Sequence, residues 1–539
     1  MTTTTQPAES ALPLQAARIK IPIPLSLVSL SLPLIVVAYM AFGPIGLAAE
    51  PYHKTSKSVD YKCIFNHELL ILIHRKNNNA QYIQSFINKL KDTDVDAVMC
   101  CPLAWRTNLF PSEVDPTWKR YRSDQPLSKK FPSWDYAMQY LHSGGDPVKD
   151  TLDACRRCGK DFFVSYRMND HHHLDDTNWP THNDVWRNHP EYWLGNSDGA
   201  PDYFSDKKRY FNYMLPPVRE YYFSILQELC TNYDVDGVEL DFERSPRYFH
   251  DADVAQGAPV MTAFVKRVRE MMDRIGQQRG KSLKLCVRVP RTVADCQKIG
   301  LDVPGWDAAG LVDMINVSSF FIHTMELGIE DFKANTKRAK IYGEMNFITG
   351  YRGDAACRFT TIPAYRASAL NLWTRGVDGL CLFNYDYVPD KLRLPMTEGL
   401  KRITDVEYLK TMPKDYVITP SFGTFPAKNE KTVHLIIPDD TKKVAFQRAV
   451  LRIETKESCA NVRIAVRLNG TLLKPCEHED TELFPPLAQN VCYPTHEKLK
   501  FYTVPLDALI PGRNKVDIRN LDAKKASCAF HSLEIALYR

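Results

Sequence analysis

Glu239, Asp241 and Glu243 stand at alternate positions in "YDVDGVELDFERSPRYF" (233–249), inside a run that is otherwise largely apolar. In a strand, alternation puts all three on one face at three depths. Alternate residues rise about 6.6 Å, so Glu239 sits about 13 Å below Glu243. Two carboxyl groups facing one cleft suit cleavage of a glycosidic bond. One protonates the leaving oxygen; the other attacks the anomeric carbon or activates water. Acids taken out of water need compensation, which Arg167 and Arg288 on neighbouring runs are suited to supply.

Such acids need a scaffold that aims them together. Short apolar or alternating runs recur at 68–75, 95–102, 161–170, 235–243, 283–290, 312–321, 339–347 and 377–386, with amphipathic helical stretches between them. This order predicts a parallel (β/α)8 TIM barrel, in which alternate strand residues face the interior and the site lies at the C-terminal strand ends. The interior parity is polar on six runs: Ser165, Arg167 and Asn169; Glu239, Asp241 and Glu243; Arg288; Asn316 and Ser318; Glu344 and Asn346; Asn384 and Asp386. The opposite parity is apolar or aromatic, as in Val164, Val238, Leu240, Val287, Ile315 and Met345. An inert barrel would fill the interior with branched aliphatic residues. A ring of polar groups marks a site.

Within that ring the expected working pair is Asp241 with Glu344, with Glu243 as the alternative acid and Asp386 in reserve. Glu239 is deep enough to act as an internal brace to an arginine. Substrate contacts are expected from Arg167, Asn169, Asp170, His172, Glu239, Arg288, Asn316, Asn384 and Asp386, with Trp105 as a platform for a sugar face. A separation near about 5 Å between the working carboxyls would predict retention of configuration, and a larger one inversion. The triplet His171–His173 is matched by one histidine in "IHR" on run one, where an amidohydrolase-type site needs His-x-His, and by none on runs five and six, so no metal is expected. No G-x-S-x-G elbow is present, and no cofactor is called for.

Bulk properties bound the rest. The 539 residues exceed one compact core, and a net charge of +5 from scattered basic residues argues against a nucleic-acid partner. Residues 1–49 combine a basic flank, an uncharged apolar run and a small-residue exit, which reads as an export signal. A secreted or periplasmic location follows, with residues 21–42 as an alternative membrane anchor. The barrel is expected over 50–411, a Pro- and Lys-containing linker over 412–431, and a β-sandwich over 432–539, for which carbohydrate binding or simple packing are the two roles. All eight Trp lie between Trp105 and Trp373, leaving the sandwich without the best sugar-stacking residue. Cys459, Cys476, Cys492 and Cys528 cluster there and allow bridges; Cys155 and Cys158 read as structural.

The strand-four stretch resembles the glycosyl-hydrolase-like barrels of the family-10-like group, exported proteins with a V-D-G-[IV]-x-L-D-[FY] run followed by Arg and Pro. "VSYRMNDHHH" and "GVDGLCLFNYDY" are similar to their third- and eighth-strand ends, so the likeness spans about residues 60 to 400. It implies a (β/α)8 barrel and a hydrolase acting on a polysaccharide or oligosaccharide. Asp241 matches the motif's most characteristic acid, whereas Glu243 stands where that group carries an apolar residue. "DGVELDFE" also resembles the D-x-x-D-x-D-x-E run of chitinase-type barrels, which implies Glu243 as the acid, Asp241 as the residue that orients the substrate's acetamide, and the acetamide as nucleophile. Glu239 departs from the Asp of that motif. A catalytically silent barrel that binds glycans is the alternative from a different class.

Overall fold

The computed structural model describes residues 60–69, 80–120, 132–195, 209–320, 322–349, 358–385, 396–420, 425–477, 499–523 and 527–539. The segment 1–49, expected as an export signal, lies with its 21–42 run outside the described residues, as do Asp386 and Cys492.

Eight parallel strands close into a barrel: β1 (Cys63–Glu68), β2 (Ala97–Cys101), β3 (Asp161–Arg167), β4 (Gly237–Asp241), β5 (Lys284–Val289), β6 (Met314–Val317), β7 (Lys340–Asn346) and β8 (Gly379–Phe383). Each pairs with its sequence neighbours and β1 pairs with β8, so the expected (β/α)8 class is the observed one. Helices cross between strands, including α1 (Pro147–Arg157), α2 (Pro216–Asn232), α3 (Val254–Gln278) and α4 (Ile362–Thr374). Their starts are written locally: Asp146 accepts the Lys149 amide at 3.0 Å ahead of Pro147, and Thr361 accepts that of Ala364 ahead of Pro363.

The first strand differs from expectation. It runs from Cys63 to Glu68, not from 68 to 75, of which 70–75 lie outside the described residues. Asn66 and Glu68 are buried inside it, so its interior face is polar and the apolar periodicity that marks a strand is missing.

A Val-Asp pair precedes each even-numbered strand, and each aspartate fastens the strand before it. Asp96 accepts the Cys63 amide at 3.0 Å, Asp236 that of Phe162 at 2.8 Å, Asp313 that of Leu285 at 2.9 Å and Asp378 that of Ile341 at 2.9 Å. These contacts lie at the N-terminal face. The glycines that follow Asp236 and Asp378 answer a close approach: a Cβ at Gly237 would lie 2.2 Å from the Phe163 ring, and one at Gly379 would lie 2.4 Å from that of Tyr342.

Two antiparallel sheets follow. The strands are β9 (Lys414–Ile418), β10 (Phe425–Ala427), β11 (Glu430–Ile437), β12 (Arg448–Thr455), β13 (Ile464–Leu468), β14 (Thr471–Leu472), β15 (Lys474–Pro475), β16 (Leu499–Val504), β17 (Gly512–Asn520) and β18 (Cys528–Tyr538). One sheet has the order β9-β18-β12-β16-β15 with β10 also on β18, and the other β11-β17-β13-β14, as in a β-sandwich. The stretch 412–431, expected as a linker, holds β9, β10 and the start of β11. Its lysine Lys414 is fully buried, 3.0 Å from Asp439, so a residue typical of linkers serves as an internal ion pair. The sandwich packs on the barrel: Ala367 of α4 joins its core, and Asn371 donates to the Ile436 carbonyl at 2.7 Å. Cys459, Cys476 and Cys528 are unbridged.

Candidate active site

The interior parity read from the sequence holds through the strands, and Arg288 is its centre. This fully buried side chain of β5 donates from Nη1 to Asp241 Oδ1 at 2.9 Å, from Nε to Glu344 Oε2 at 2.5 Å and from Nη2 to Glu344 Oε1 at 3.0 Å. Its guanidinium lies 3.8 Å from the centre of the Phe383 ring, and Nη2 also donates to the Phe320 carbonyl at 2.6 Å. Glu344 further accepts from Ser318 at 2.6 Å and Asn346 at 2.8 Å. Asp241 Oδ1 also accepts the amides of Glu243 at 3.1 Å and Arg244 at 3.0 Å. The expected working pair is therefore joined through one arginine, and neither acid lines the adjacent cavity. Arg288, expected at the substrate, is a clamp.

One layer below, Glu239 accepts from Ser165 at 2.7 Å and from Asn316 at 3.2 Å, and the Cys286 thiol is 3.5 Å away. It braces the interior, as its depth implied, but through these groups instead of an arginine, and neither it nor Asn316 lines the cavity beside Glu243. Burial, then repulsion from Asp241, pushes its carboxyl up to about 7 in spite of Ser165, Arg288 and Asn316.

Glu243 differs from both. Its side chain lines a cavity of about 390 Å³ built by the segments that follow β4, β5 and β6, with Tyr248, Phe249, Pro290, Arg291 and Phe320 among its walls. The carboxyl is buried, and its Oε2 has no hydrogen-bond partner among the described residues. Burial, with Glu344 and Asp241 adding to it, raises Glu243 well above the usual carboxylate range against the pull of Arg288 and Arg291. Both effects favour the protonated form of a carboxyl held beside an opening. Its backbone is fixed from Arg288 through Asp241, and the same arginine holds the Phe320 carbonyl on the opposite wall.

Strain gathers on this end of the barrel. Trp105, His173, Phe320 and Asn384, in the segments after β2, β3, β6 and β8, have φ between 54° and 65°. The β1–β3 side carries a second buried network. Arg167 pairs with Glu68 at 2.5 Å, and Asp170 accepts from His172 at 2.9 Å beside Arg106. Burial pushes Asp170 up, but His172, Arg106 and Arg167 outweigh it and hold the carboxyl well below its ordinary range. Burial lowers His172 to about 4 despite Asp170. Asn169 spends its side chain on the Phe211 and Arg247 carbonyls, at 3.1 and 2.8 Å. Trp105 packs edge-on against His173 and tilted against His172, and Asn384 is buried.

Of the residues expected in the site, Glu243 alone lines the cavity among those described; Arg167, Asn169, Asp170, His172, Asn384 and Trp105 stand elsewhere on the same face. Arg247, Tyr248, Phe249, Arg291 and Phe320 were missed. The pair Arg288-x-x-Arg291 in "RVPR", just past a strand end, was the available signal for one of them.

The family match falls on the first half of the barrel. Residues 67–255 match the family Glycosyl hydrolase-like 10. The matched stretch runs from the end of β1 into the first residues of α3 and includes Glu243, so the resemblance carried by the third- and fourth-strand motifs is borne out. No curated protein matches the chain. Similar solved structures include the PgaB (BpsB) glycoside hydrolase domain from Bordetella bronchiseptica, at 10% identity over 64% of this chain and 98% of that one with a TM-score of 0.42. Another is a glycoside hydrolase family 18 N-acetylglucosaminidase from Paenibacillus barengoltzii, at 11% over 64% and 99% with a TM-score of 0.36. A third is the cycloisomaltooligosaccharide glucanotransferase from Paenibacillus sp., at 10% identity over 88% of this chain and a TM-score of 0.33; the chain spans 57% of that protein's length.

Proposed function

We propose that the chain is a glycoside hydrolase whose general acid is Glu243. The observation that carries this is the setting of that one side chain: a buried carboxyl, shifted toward its protonated form and with its Oε2 unpartnered among the described residues, on the wall of a cavity at the C-terminal end of the barrel. The acid gives its proton to the glycosidic oxygen as the bond to the anomeric carbon breaks. Asp241 and Glu344 share Arg288, which favours attack on the anomeric carbon by an acetamido group of the substrate itself over attack by either carboxylate. Asp241 then acts on Glu243 through the backbone, as a positioning residue. The 1–49 segment supports export, with 21–42 as the alternative tether, and the packing of Ala367 into the sandwich supports a bracing role for the C-terminal domain.

The test is release of reducing sugar from a polysaccharide panel that includes chitin oligosaccharides. Glu243→Gln is expected to lower kcat by about 10²–10⁴-fold with KM little changed. Full activity in Glu243→Gln would remove the assignment. Release of sugar from substrates without an acetamido group would remove the substrate-assisted step and leave the acid.

A further inference from the structure

The cavity holds more positive charge than its own acids answer. Arg247 is 3.3 Å from Asp251, and Lys298 is 2.8 Å from Asp295, so these two cations are paired at the rim. Arg291 is not satisfied in this way. It lies two residues beyond β5 with its side chain 12% exposed, and its Nε and Nη2 have no hydrogen-bond partner among the described residues. Its ion-pair contact, Glu326, is 3.8 Å from Nη1, too far for a hydrogen bond, and is not part of the cavity wall. Burial pushes Glu326 up in spite of Arg291, and pushes Arg291 down in spite of Glu326 and Glu243, as expected of a loose pair.

The chemistry of the site sharpens the point. Glycosidic cleavage develops positive charge at the anomeric carbon. A guanidinium in the same cavity as a neutral acid opposes that charge unless the substrate brings an anion to it. The guanidinium fork also matches an oxyanion in shape, and two free N–H groups supply both bonds of such a contact. Tyr248, Phe249 and Phe320 give the cavity aromatic walls against the uncharged part of a sugar.

We infer that Arg291 is a specificity residue that binds an oxyanion substituent, carboxylate or sulfate, on the sugar held beside Glu243, so that the substrate class is an acidic glycan. This rests on the glycoside hydrolase reading of the cavity. Arg291 touches substrate; Glu243 performs the proton transfer.

The full chain and its Arg291→Gln and Arg291→Lys variants are titrated calorimetrically with three oligosaccharides of equal length. Hyaluronan carries carboxylates and acetamides, chondroitin sulfate adds sulfate, and chitin oligosaccharide carries acetamides without charge. The expected result is binding of one or both acidic ligands at least about tenfold tighter than chitin oligosaccharide, lost in Arg291→Gln and partly kept in Arg291→Lys. The two acidic ligands separate carboxylate from sulfate recognition. Thermal melting of each variant verifies folding, and recovery of binding in Arg291→Lys separates a contact from a packing role. Equal or tighter binding of the neutral ligand, unchanged acidic binding in Arg291→Gln, or binding of none of the three would overturn the inference. Charge-selective binding without any turnover would instead overturn the hydrolase reading and leave this one standing. Turnover of chitin oligosaccharide, indifferent to Arg291→Gln, would do the reverse.

Discussion

Arg288 meets Glu344 as a fork, with Nε 2.5 Å from Oε2 and Nη2 3.0 Å from Oε1, while its remaining nitrogen reaches Asp241 at 2.9 Å. One buried cation thus serves two buried anions from strands on either side of it. Removing it leaves both uncompensated. Arg288→Met should cost about 3–5 kcal/mol of folding stability, read from urea unfolding. Adding Glu344→Gln to that variant should recover part of the loss, since the arginine then leaves one orphan instead of two. A loss below about 1 kcal/mol would show that solvent reaches the clamp.

Glu243 must carry its proton to act as the acid. Burial raises it well above the ordinary value of 4.5, so activity should persist well above that pH and fall about tenfold per unit once pH passes the raised value. The alkaline limb of kcat against pH is the measurement. A limb near the ordinary carboxylate value would place the acid elsewhere.

Glu239 gives a stability signature of its own. Folded, it holds its proton up to about 7; unfolded, it releases it near 4.5. The folded state therefore binds more protons between those values, and stability falls as pH rises through them. Glu239→Gln should flatten that part of the profile in urea melts taken from about pH 5 to about pH 8, with little effect on kcat.

Asp313 accepts the Leu285 amide and pairs with Arg269 at 3.1 Å, on the face opposite the cavity. Asp313→Ala should lower stability by about 1–3 kcal/mol and leave KM unchanged. A changed KM in well-folded Asp313→Ala would mean that the two ends of the barrel communicate.

Much of this was legible in the sequence because strand parity is strict. Where Ser165, Glu239, Asp241, Asn316 and Glu344 alternate with aliphatic residues, the interior face of the barrel can be read directly. β1 escaped because its interior positions, Asn66 and Glu68, are polar and erase the contrast on which parity depends. The arginine shared by Asp241 and Glu344 was not legible for a different reason. Spacing places both acids and Arg288 on the interior, but it does not say that the longer side chain fills the gap between the shorter ones. Arg291 escaped parity, which ends where the strand ends: chain direction beyond Val289 is set by tertiary contacts such as the Gly328 amide on the Arg291 carbonyl, at 2.9 Å, and only the "RVPR" spacing pointed to it.

The four Val-Asp latches divide the barrel into two-strand modules, each closed from beneath by its own carboxylate. Closure of the ring is thereby delegated to one rim, and the loops on the other rim are released from that duty. The same division warns against reading "VDGVELDFE" as one catalytic unit: its Asp236 and its Glu243 belong to opposite ends of the barrel, the first to a latch between strands and the second to the cavity wall.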